Sequence, residues 1–199
     1  MLVIVCGWAG AGKTTLARLV SRRLAVHYID MDDLREVATG RPIARPATPA
    51  EMEEEAVAML ANYGFMAAIV NWHLENGRSL MLSATFSKAA YWDIFRAVLA
   101  RHPGASLRVV RCLPDNDHAD AVAAVLAERE REGYNSSVNT VARYEEVKSR
   151  FREPPVPHLT VRTWGSGASV DDCVNSVLAY VLECRGEDTR PMRVGRSSP

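Results

Sequence analysis

The sequence predicts an α/β fold in which a parallel β-sheet is covered by helices on both faces. Two observations lead to this prediction. Short apolar runs alternate along the chain with longer segments of helical periodicity, which is the pattern of parallel strands joined by crossover helices. The 199 residues are 48% hydrophobic, which is enough for one well-buried domain with inserted segments.

Five apolar runs are the strand candidates, and in chain order they are residues 2–6, 26–29, 80–83, 107–112 and 159–161. Helical periodicity is clearest in residues 14–24, 87–101 and 170–182. A glycine-rich segment separates the first strand candidate from the first helix candidate, and it is the first candidate binding site along the chain.

Residues 7–14, directly after the first strand candidate, read GWAGAGKT and match G-x-x-x-x-G-K-[ST] without a gap. A loop that wraps a phosphate must point successive backbone N–H groups inward, which requires angles that glycine tolerates best. Lys13 would supply positive charge to the β- and γ-phosphates, the Thr14 hydroxyl can ligate Mg²⁺, and the helix dipole adds to the attraction. The alternative is a plain glycine-rich turn. The predicted nucleotide-binding residues are Gly7, Trp8, Ala9, Gly10, Ala11, Gly12, Lys13, Thr14 and Thr15.

Two absences restrict the class of nucleotide protein. GTPases read their base with N-K-x-D, and the sequence contains no such motif. Large ATPases hold Mg²⁺ with an acid at the end of an apolar strand, whereas the strand at 80–83 ends in Ser83 and continues without an acid. The acids follow the second strand instead, in HYIDMDDL, and that strand end faces the same crevice as the phosphate loop in a parallel α/β sheet.

Asp30 and Asp32 are two residues apart, so they point the same way if the second strand persists through both. One could then hold Mg²⁺ through water while the other meets an acceptor hydroxyl. We assign Asp30 to the metal together with Thr14, Asp32 to the acceptor, and Asp33 as the reserve candidate. The alternative is an aspartate-rich N-cap for a helix that starts near Leu34.

Two long segments interrupt the alternation of strands and helices. The first, at about residues 34–77, contains a capping box at Thr48 and Glu51 and is predicted to form two helices, roughly 49–62 and 65–75.

The second segment, at about residues 115–157, has the pattern of a helix, a polar hinge around 133–137 and a second helix. We predict a single domain over residues 1–183, followed by a polar tail at 184–199.

Several segments resemble the small P-loop kinases of metabolites and nucleotides. YIDMDDLREVATGRPI is similar to the D-G-D-D-L-H and G-x-P-L of gluconate kinases and to the D-x-D and T-G of shikimate kinases. SATFSKAAYWDIFR resembles the gluconate-kinase S-A-L-K-R-x-Y-R-D-x-L-R, and VARYEEVKSRFREPP resembles the R-L-x-x-Y helix after the lid of adenylate kinases. LTVRTWGSGASVDDCVNSVL is similar to the last strand, adenine-side loop and final helix of the family.

The resemblance implies a three-layer P-loop NTPase fold with a five-stranded parallel sheet of order 2-3-1-4-5. It also implies that the first insert shapes an acceptor pocket and that the second is a lid whose arginines cover the phosphates. The lid candidates are Arg129, Arg131 and Arg143, of which Arg143 matches the R-x-x-Y pattern. Arg129 and Arg131 cannot both face one side of a continuous helix, and a solvated charged helix is the alternative for either.

The acceptor pocket is predicted to draw on Asp32, Asp33, Arg35, Lys88 and Tyr91, with Trp72 and Phe86 as further aromatic candidates. Trp164, in the loop after the last strand, could flank adenine. Each of these side chains could serve packing or the surface instead.

The predicted function is an ATP-dependent kinase that transfers the γ-phosphate to a hydroxyl of a small molecule such as a sugar acid or polyol, using ATP and Mg²⁺. A nucleoside or nucleotide kinase and an antibiotic phosphotransferase are alternative enzymes, and an ATP-binding regulatory module is an alternative without catalysis. Asp30, Asp32 and the helical insert favour an enzyme, because a binding module needs no acceptor pocket.

Composition limits the partners. The formal net charge is zero, which argues against a nucleic-acid partner held by bulk charge. No apolar stretch approaches the roughly 20 residues of a membrane helix, and the short apolar start lacks a basic segment, so we expect a cytoplasmic protein, monomeric or homodimeric. The four cysteines are scattered with no CxxC pair and suggest neither a zinc site nor a disulfide framework.

Overall fold

Five parallel strands form the centre of the computed structural model, which describes residues 1–39, 48–115, 117–132, 138, 140–165 and 167–183. The strands are β1 (Leu2–Cys6), β2 (His27–Asp30), β3 (Leu80–Ala84), β4 (Leu107–Leu113) and β5 (Leu159–Arg162). They lie side by side in the order β2-β3-β1-β4-β5, and every pair is parallel. The predicted fold class and strand order are therefore confirmed, and each strand boundary lies within one residue of its predicted position.

The described residues also form seven helices. They are α1 (Lys13–Leu24), α2 (Met31–Thr39), α3 (Pro49–Glu75), α4 (Ala89–Ala100), α5 (Ala119–Arg131), α6 (Val141–Arg150) and α7 (Val170–Glu183). None of these helices is long and apolar enough to cross a membrane. The tail at 184–199 lies outside the described residues.

The central strand β1 is buried on both faces, because successive side chains of a strand point to opposite sides. Leu2, Ile4 and Cys6 belong to one core cluster with residues of α3 and α4. Val3 and Val5 belong to a second cluster with residues of α1 and α7. The three layers hold the C-terminal end of β1 rigidly, and the phosphate loop begins at that end.

The first insert contains one continuous helix, so the predicted pair of helices at 49–62 and 65–75 is wrong. Its capping box is confirmed, since the Thr48 hydroxyl accepts from the Glu51 N–H and the Glu51 carboxylate accepts from the Thr48 N–H. Gly64 lies in mid-helix at a cost of about 1 kcal/mol relative to alanine. The buried residues on both sides of it, Tyr63 and Met66, continue one core-facing side of α3, and this packing outweighs the cost.

Strand β2 ends at Asp30 and α2 begins at once with Met31, so the strand does not persist to Asp32. The Oδ1 atom of Asp30 accepts a hydrogen bond from the Asp32 N–H at 2.9 Å, which is the bond of an N-cap residue. The N-cap alternative therefore applies to Asp30, although the helix begins at Met31 rather than near Leu34. Asp32 is held in the first helical turn instead of along the strand.

Helices α5 and α6 form the second insert, and the predicted hinge at 133–137 lies outside the described residues. Both helices pack on the phosphate loop through a third apolar cluster, formed by Trp8, Val122, Leu126, Val138, Tyr144 and Phe151. The predicted lid is therefore in direct contact with the phosphate loop.

Candidate active site

The phosphate loop, residues 7–14, joins β1 to the N-terminus of α1 in a conformation that only glycines adopt easily. Gly7, Gly10 and Gly12 have φ angles of 146°, 86° and 72°. A Cβ atom at Gly7 would lie 2.5 Å from the carbonyl oxygen of Cys112, so no other residue fits there without a backbone shift. The phosphate loop therefore starts in close contact with the backbone of β4.

The phosphate loop is fastened from behind by the segment after β5. The Thr163 hydroxyl donates to the carbonyl oxygen of Ala11 at 2.9 Å, and the Trp164 indole N–H donates to the carbonyl oxygen of Gly10 at 3.0 Å. Trp164 was predicted as an adenine neighbour, and the structure puts it beside the phosphate loop, outside the main cavity.

Trp8 links the same loop to the lid. Its indole N–H donates to the Tyr144 hydroxyl at 2.8 Å, and its ring meets Phe151 edge to face with centroids 5.6 Å apart. Its carbonyl oxygen accepts from the Lys13 ammonium at 2.8 Å. A Cβ atom at Gly10 would lie 3.5 Å from the Tyr144 ring, so Tyr144 covers the loop backbone as well.

Asp30 is buried at the centre of a hydrogen-bond network. Its Oδ2 atom accepts from the hydroxyls of Thr14 at 2.9 Å, Tyr28 at 2.7 Å and Ser83 at 2.5 Å, and its Oδ1 atom accepts from the Asp32 N–H. Burial raises the pKa of the Asp30 carboxyl, but these hydrogen bonds to the charged form outweigh it and lower the pKa overall. Asp30 is therefore a fixed anion.

Asp32 experiences the opposite environment. It lines the cavity and is exposed to its interior, and partial desolvation by the surrounding walls raises its pKa. The negative charge of Asp30 raises the pKa further, whereas Lys13 and Arg35 lower it in part. A carboxyl with a raised pKa beside a phosphate loop is suited to taking a proton.

One cavity of about 510 Å³ joins the phosphate loop to the acceptor side. The predicted site residues that line it are Ala9, Gly10, Gly12, Lys13, Thr14, Thr15, Asp30, Asp32, Arg35, Lys88, Tyr91, Arg129 and Arg143. Burial lowers the pKa of the Lys13 ammonium, and Asp32 and Asp30 partly offset that effect. The cavity thus brings the donor and acceptor candidates into one enclosed space.

Four of the acceptor and lid candidates lie outside this cavity. Asp33 is exposed and pairs with Arg18 at 3.3 Å. Arg131 is 72% exposed and pairs with Glu128 in its own helix. Arg129 lines the cavity instead, so the two arginines point in different directions, as expected for positions two apart on a continuous helix.

Trp72 lies exposed on α3, and Phe86 is fully buried in the core. Phe86 also has a φ of 54°, which is rare for a bulky residue. Its N–H donates to the Tyr63 hydroxyl, and its carbonyl oxygen accepts from the Trp92 indole. These two bonds hold the turn that carries Thr85 and Ser87 into the cavity wall.

The acceptor side has an ion pair and an aromatic wall. Arg35 and Glu55 pair at 3.2 Å, with side chains 14% and 25% exposed. The ring of Tyr91 stacks on Tyr63 with centroids 3.8 Å apart, and the Lys88 ammonium lies 5.9 Å from the Tyr91 ring. Because Glu55 partly neutralises Arg35, this side of the cavity offers hydrogen bonds and apolar surface more than net charge.

The lid contributes three arginines to the cavity, namely Arg129, Arg143 and Arg150. Glu146 bridges two of them, since it pairs with Arg143 at 2.6 Å and with Arg150. The Nε atom of Arg143 is buried without a hydrogen-bond partner among the described residues. A buried N–H without a partner is costly, so Arg143 has capacity for an anionic ligand.

Sequence reasoning missed Tyr28, Ser83, Glu55, Tyr63 and Arg150. Ser83 was visible as the hydroxyl near the end of β3, at the position where many ATPases carry an acid. Glu55 and Tyr63 lie eight residues apart, which places them near one side of a continuous helix. The predicted break at residues 63–64 concealed that relation. Tyr28 and Arg150 gave no signal distinct from an ordinary strand or a charged helix.

The residues present fit a magnesium ion that arrives with nucleotide phosphates. The Thr14 hydroxyl donates its proton to Asp30, so its oxygen lone pairs remain available to a cation. Magnesium typically takes few protein ligands and completes its shell with water and phosphate. The described residues contain no group of three or more His, Cys, Asp or Glu that could hold a metal ion.

A family profile described as an AAA domain matches residues 2–154. A probable gluconokinase from Schizosaccharomyces pombe is 33% identical over 106 residues. This alignment covers 50% of the chain and 50% of the yeast protein, so the chain spans about half the length of the curated relative that it matches.

Solved structures share the fold over nearly the whole chain. A protein from Chloroflexus aurantiacus assigned as a kinase has a TM-score of 0.71 and 21% identity, covering 92% of this chain and 96% of that one. APS kinase from Mycobacterium tuberculosis, in complex with AMPPNP and APS, has a TM-score of 0.58 and 22% identity, covering 91% and 96%. At these identities the likeness concerns the fold.

Proposed function

The chain belongs to the AAA domain family, and from that membership and the geometry of the cavity we propose that it is an ATP-dependent kinase of a small hydroxylated molecule. The family match bears out the resemblance to small P-loop kinases seen in the sequence. The observation that carries the proposal is Asp32, a carboxyl of raised pKa in the same cavity as Lys13 and the acceptor wall.

The donor side binds the phosphates of ATP. The N–H groups of the phosphate loop and the α1 dipole would hold the β-phosphate. The Lys13 ammonium would leave the carbonyl oxygen of Trp8 to meet the β- and γ-phosphates, which exchanges a neutral acceptor for an anionic one.

Thr14 and Asp30 would hold Mg²⁺, with Thr14 as the direct ligand and Asp30 behind it. Three hydroxyls already occupy the Oδ2 atom of Asp30, which favours contact through water rather than direct ligation. When bound, the ion supplies positive charge that neutralises the phosphate oxygens.

Asp32 would orient the acceptor hydroxyl and take its proton. The hydroxyl oxygen forms a bond to the γ-phosphorus, the bond from that phosphorus to the bridging oxygen breaks, and ADP leaves. The proton passes to the Asp32 carboxylate. Phosphoryl transfer needs positioning and charge neutralisation more than covalent chemistry, so a single base of this kind is sufficient.

Arg143, Arg150 and Arg129 would cover the developing charge and exclude water. Glu146 holds two of these arginines in the absence of a ligand, and a γ-phosphate would compete with its carboxylate for them. Exclusion of water matters because an open site would hydrolyse ATP instead of transferring its phosphate.

The acceptor is proposed to be a small polyhydroxylated compound of the sugar-acid or polyol class. The Arg35–Glu55 pair and Lys88 offer donors and acceptors for several hydroxyl groups, and Lys88 adds one positive charge at the rim for a carboxylate. The gluconokinase name of the yeast relative agrees with this class. A cytoplasmic location stays a prediction from the sequence.

The test is ADP release from ATP and Mg²⁺ across a panel of sugar acids, polyols, nucleosides and hydroxylated antibiotics. We expect at least one sugar acid or polyol to raise ADP release well above the background hydrolysis. Asp32→Asn should lower kcat for that compound by about 10²–10⁴-fold, the usual contribution of a positioned general base.

Asp33→Asn is the matched comparison, because Asp33 is adjacent in sequence but outside the cavity. If activity is lost in Asp33→Asn and kept in Asp32→Asn, the assignment of the base is wrong. If no compound raises ADP release and Asp32→Asn leaves the background unchanged, the kinase proposal is refuted in favour of an ATP-binding regulatory module. A response to nucleosides or antibiotics alone would refute the proposed acceptor class.

A further inference from the structure

Glu55 is the charged member of the side of α3 that faces the cavity. The residues of α3 that line the cavity lie at helical spacing and are Met52, Glu55, Ala56, Met59 and Tyr63. All of them except Glu55 are apolar or aromatic. The acids next to Glu55 in sequence, Glu53 and Glu54, are exposed on the surface of the helix. A partly buried carboxylate in such a wall is costly unless it is paired, so its partner matters.

The partner of Glu55 is Arg35 of α2. The Nη2 atom of Arg35 lies 3.2 Å from the Oε1 atom of Glu55. Partial desolvation and the charge of Asp30 raise the pKa of Asp32, the proposed base, whereas the guanidinium of Arg35 lowers it in part. One guanidinium is therefore shared by two carboxylates, Glu55 and Asp32, at the acceptor end of the cavity.

Tyr91 adds a neutral hydroxyl to this end of the cavity. Burial raises the pKa of the Tyr91 hydroxyl, the charge of Glu55 raises it further, and Arg35 lowers it in part. The hydroxyl therefore stays protonated at neutral pH. The ring of Tyr91 is fixed by its stacking on Tyr63. A carboxylate, a guanidinium and a neutral hydroxyl thus offer hydrogen-bond donors and acceptors within a small space.

An arginine in a binding cavity is ordinarily a good site for the carboxylate of a ligand, because its guanidinium can bind both carboxylate oxygens. At Arg35 a ligand carboxylate would be the third one around a single guanidinium. Like charges repel strongly in a site that is partly shielded from water. Lys88 is exposed at the rim, where solvent weakens its attraction for a carboxylate.

Hydroxyl groups of a ligand experience no such repulsion. A hydroxyl both donates and accepts, so one hydroxyl can donate to the Glu55 carboxylate while its neighbour accepts from the Arg35 guanidinium. Hydrogen bonds to charged groups are stronger than those between neutral groups. The ion pair is therefore suited to binding two adjacent hydroxyl groups of one molecule.

We propose that Glu55 determines the specificity for the acceptor: together with Arg35 it binds adjacent hydroxyl groups, and it excludes an anionic group from this end of the cavity. The inference rests on the proposed kinase function and narrows its acceptor class. A neutral polyol or sugar is preferred over the sugar acid of the same carbon chain. An ion pair that only joined α2 to α3 would not discriminate between these compounds.

The test uses matched probes, D-glucitol with D-gluconate and ribitol with D-ribonate, in which a hydroxymethyl group of the polyol is a carboxylate in the acid. Isothermal titration calorimetry of the full chain with ADP and Mg²⁺ measures the dissociation constants without turnover. In at least one pair we expect the wild type to bind the polyol at least about tenfold more tightly than the acid. Glu55→Gln should reduce this ratio at least about tenfold, because it removes the repelling charge and releases Arg35 from the ion pair.

Glu54→Gln is the control, since Glu54 is adjacent in sequence and exposed on α3, outside the cavity. It should leave the ratio unchanged. Circular dichroism melting confirms that each variant folds, and Glu55→Ala takes the place of Glu55→Gln if that variant does not, because alanine is favoured in helices. The proposal is overturned if no polyol binds, if the wild type binds the acids as tightly as the polyols, or if the substitution of Glu55 weakens both members of a pair alike.

Failure of this inference is distinguishable from failure of the kinase proposal, because the titrations contain no ATP. Phosphorylation of a polyol, combined with an unchanged ratio in Glu55→Gln, would refute the role of Glu55 alone. The expected ratios without phosphoryl transfer to any compound would refute the kinase proposal and support the selection of neutral hydroxylated ligands by Glu55.

Discussion

Asp30 and Asp32 lie two positions apart, yet their environments push their pKa values in opposite directions. Asp30 accepts hydrogen bonds from three hydroxyls and one backbone N–H, which together keep it ionised despite burial. Asp32 is exposed to the cavity, where partial desolvation and the charge of Asp30 raise its pKa and favour its neutral form. Two carboxyls tuned apart in this way can divide the work between a fixed anion and a proton acceptor.

Replacing Asp32 with asparagine is expected to raise the thermal stability while it removes activity. The carboxyl has a raised pKa in the folded state, so its favourable contribution exists below the unfolded pKa near 3.8 and is lost as pH rises through the folded pKa. At neutral pH the ionised Asp32 therefore opposes folding. The Tm of Asp32→Asn should exceed that of the wild type at pH 7, and the gap should close toward pH 3. A lower Tm at pH 7 would contradict this account.

Replacing Asp30 with asparagine is expected to have the reverse effect on stability. The pKa of Asp30 is lowered, so the stability it contributes is present above 3.8 and is lost as pH falls through the folded pKa. Asp30→Asn should lower the free energy of unfolding by about 1–3 kcal/mol at pH 7, because a neutral amide cannot accept all the hydrogen bonds that the Asp30 carboxylate accepts. Urea unfolding at pH 7 and pH 3 measures the loss, which should shrink at the lower pH. An equal loss at both values would show that charge is not its cause.

For single residues, the sequence predicted many of the side chains that line the site but not the side chains that contact them. The phosphate loop was readable because its glycine positions reflect backbone geometry, as at Gly7 against Cys112. The hydroxyl of Ser83 could not be assigned to Asp30, because it reaches that carboxylate only through the pairing of β2 with β3. Tyr28 lies two residues from Asp30 on the same strand, but a tyrosine at that spacing is ordinary in a strand. Long-range strand pairing is not encoded in local spacing.

At the scale of elements, the phosphate loop and the lid form one packed unit. The Trp8 indole bonds to Tyr144 of α6, and its ring packs on Phe151 at the end of that helix. The carbonyl of the same tryptophan holds the Lys13 ammonium. Trp8 therefore contacts both the Lys13 ammonium and the lid, so one residue connects the two.

Tyr144→Phe tests this contact, because it removes the hydroxyl and keeps the ring. The buried Trp8 N–H would lose its acceptor, which costs about 1–3 kcal/mol. We expect a higher KM for ATP and a larger share of ATP hydrolysed without transfer, as the lid is held less firmly over the site. Steady-state kinetics with and without acceptor measures both effects.

Tyr180→Phe is the matched control, since Tyr180 is a partly buried tyrosine on α7, outside the cavity. It should leave both kinetic quantities at their wild-type values. Wild-type kinetics in Tyr144→Phe would mean that the hydrogen bond to Trp8 does not position the lid.

The elements themselves were predicted well where periodicity and caps agree. The capping box at Thr48 marked the start of α3 correctly. Its continuity was missed because Gly64 suggests a break, and only the packing of Tyr63 and Met66 against the sheet decides otherwise. The start of α2 was predicted near Leu34, whereas the helix begins at Met31. Asp30 is both the last residue of β2 and the N-cap of α2, and the local pattern does not indicate that a strand and a helix follow each other without a loop.

At the scale of the whole molecule, the strand order explains where the site lies. The C-terminal ends of β1, β2 and β3 carry the phosphate loop, Asp30 and Ser83, and these three strands are neighbours at the centre and one side of the sheet. Parallel alternation and family resemblance predicted this arrangement. What they could not predict is which arginines enter the cavity, because that depends on how α5 and α6 pack on Trp8.

The most direct test of the central claim is phosphorus-31 NMR of the wild type with ATP, Mg²⁺ and the acceptor panel. The account predicts ADP and a new phosphomonoester resonance from a sugar acid or polyol, formed by the wild type and Asp33→Asn but at least about 10²-fold more slowly by Asp32→Asn. Inorganic phosphate as the sole product with every compound, at equal rates in all three proteins, would contradict it.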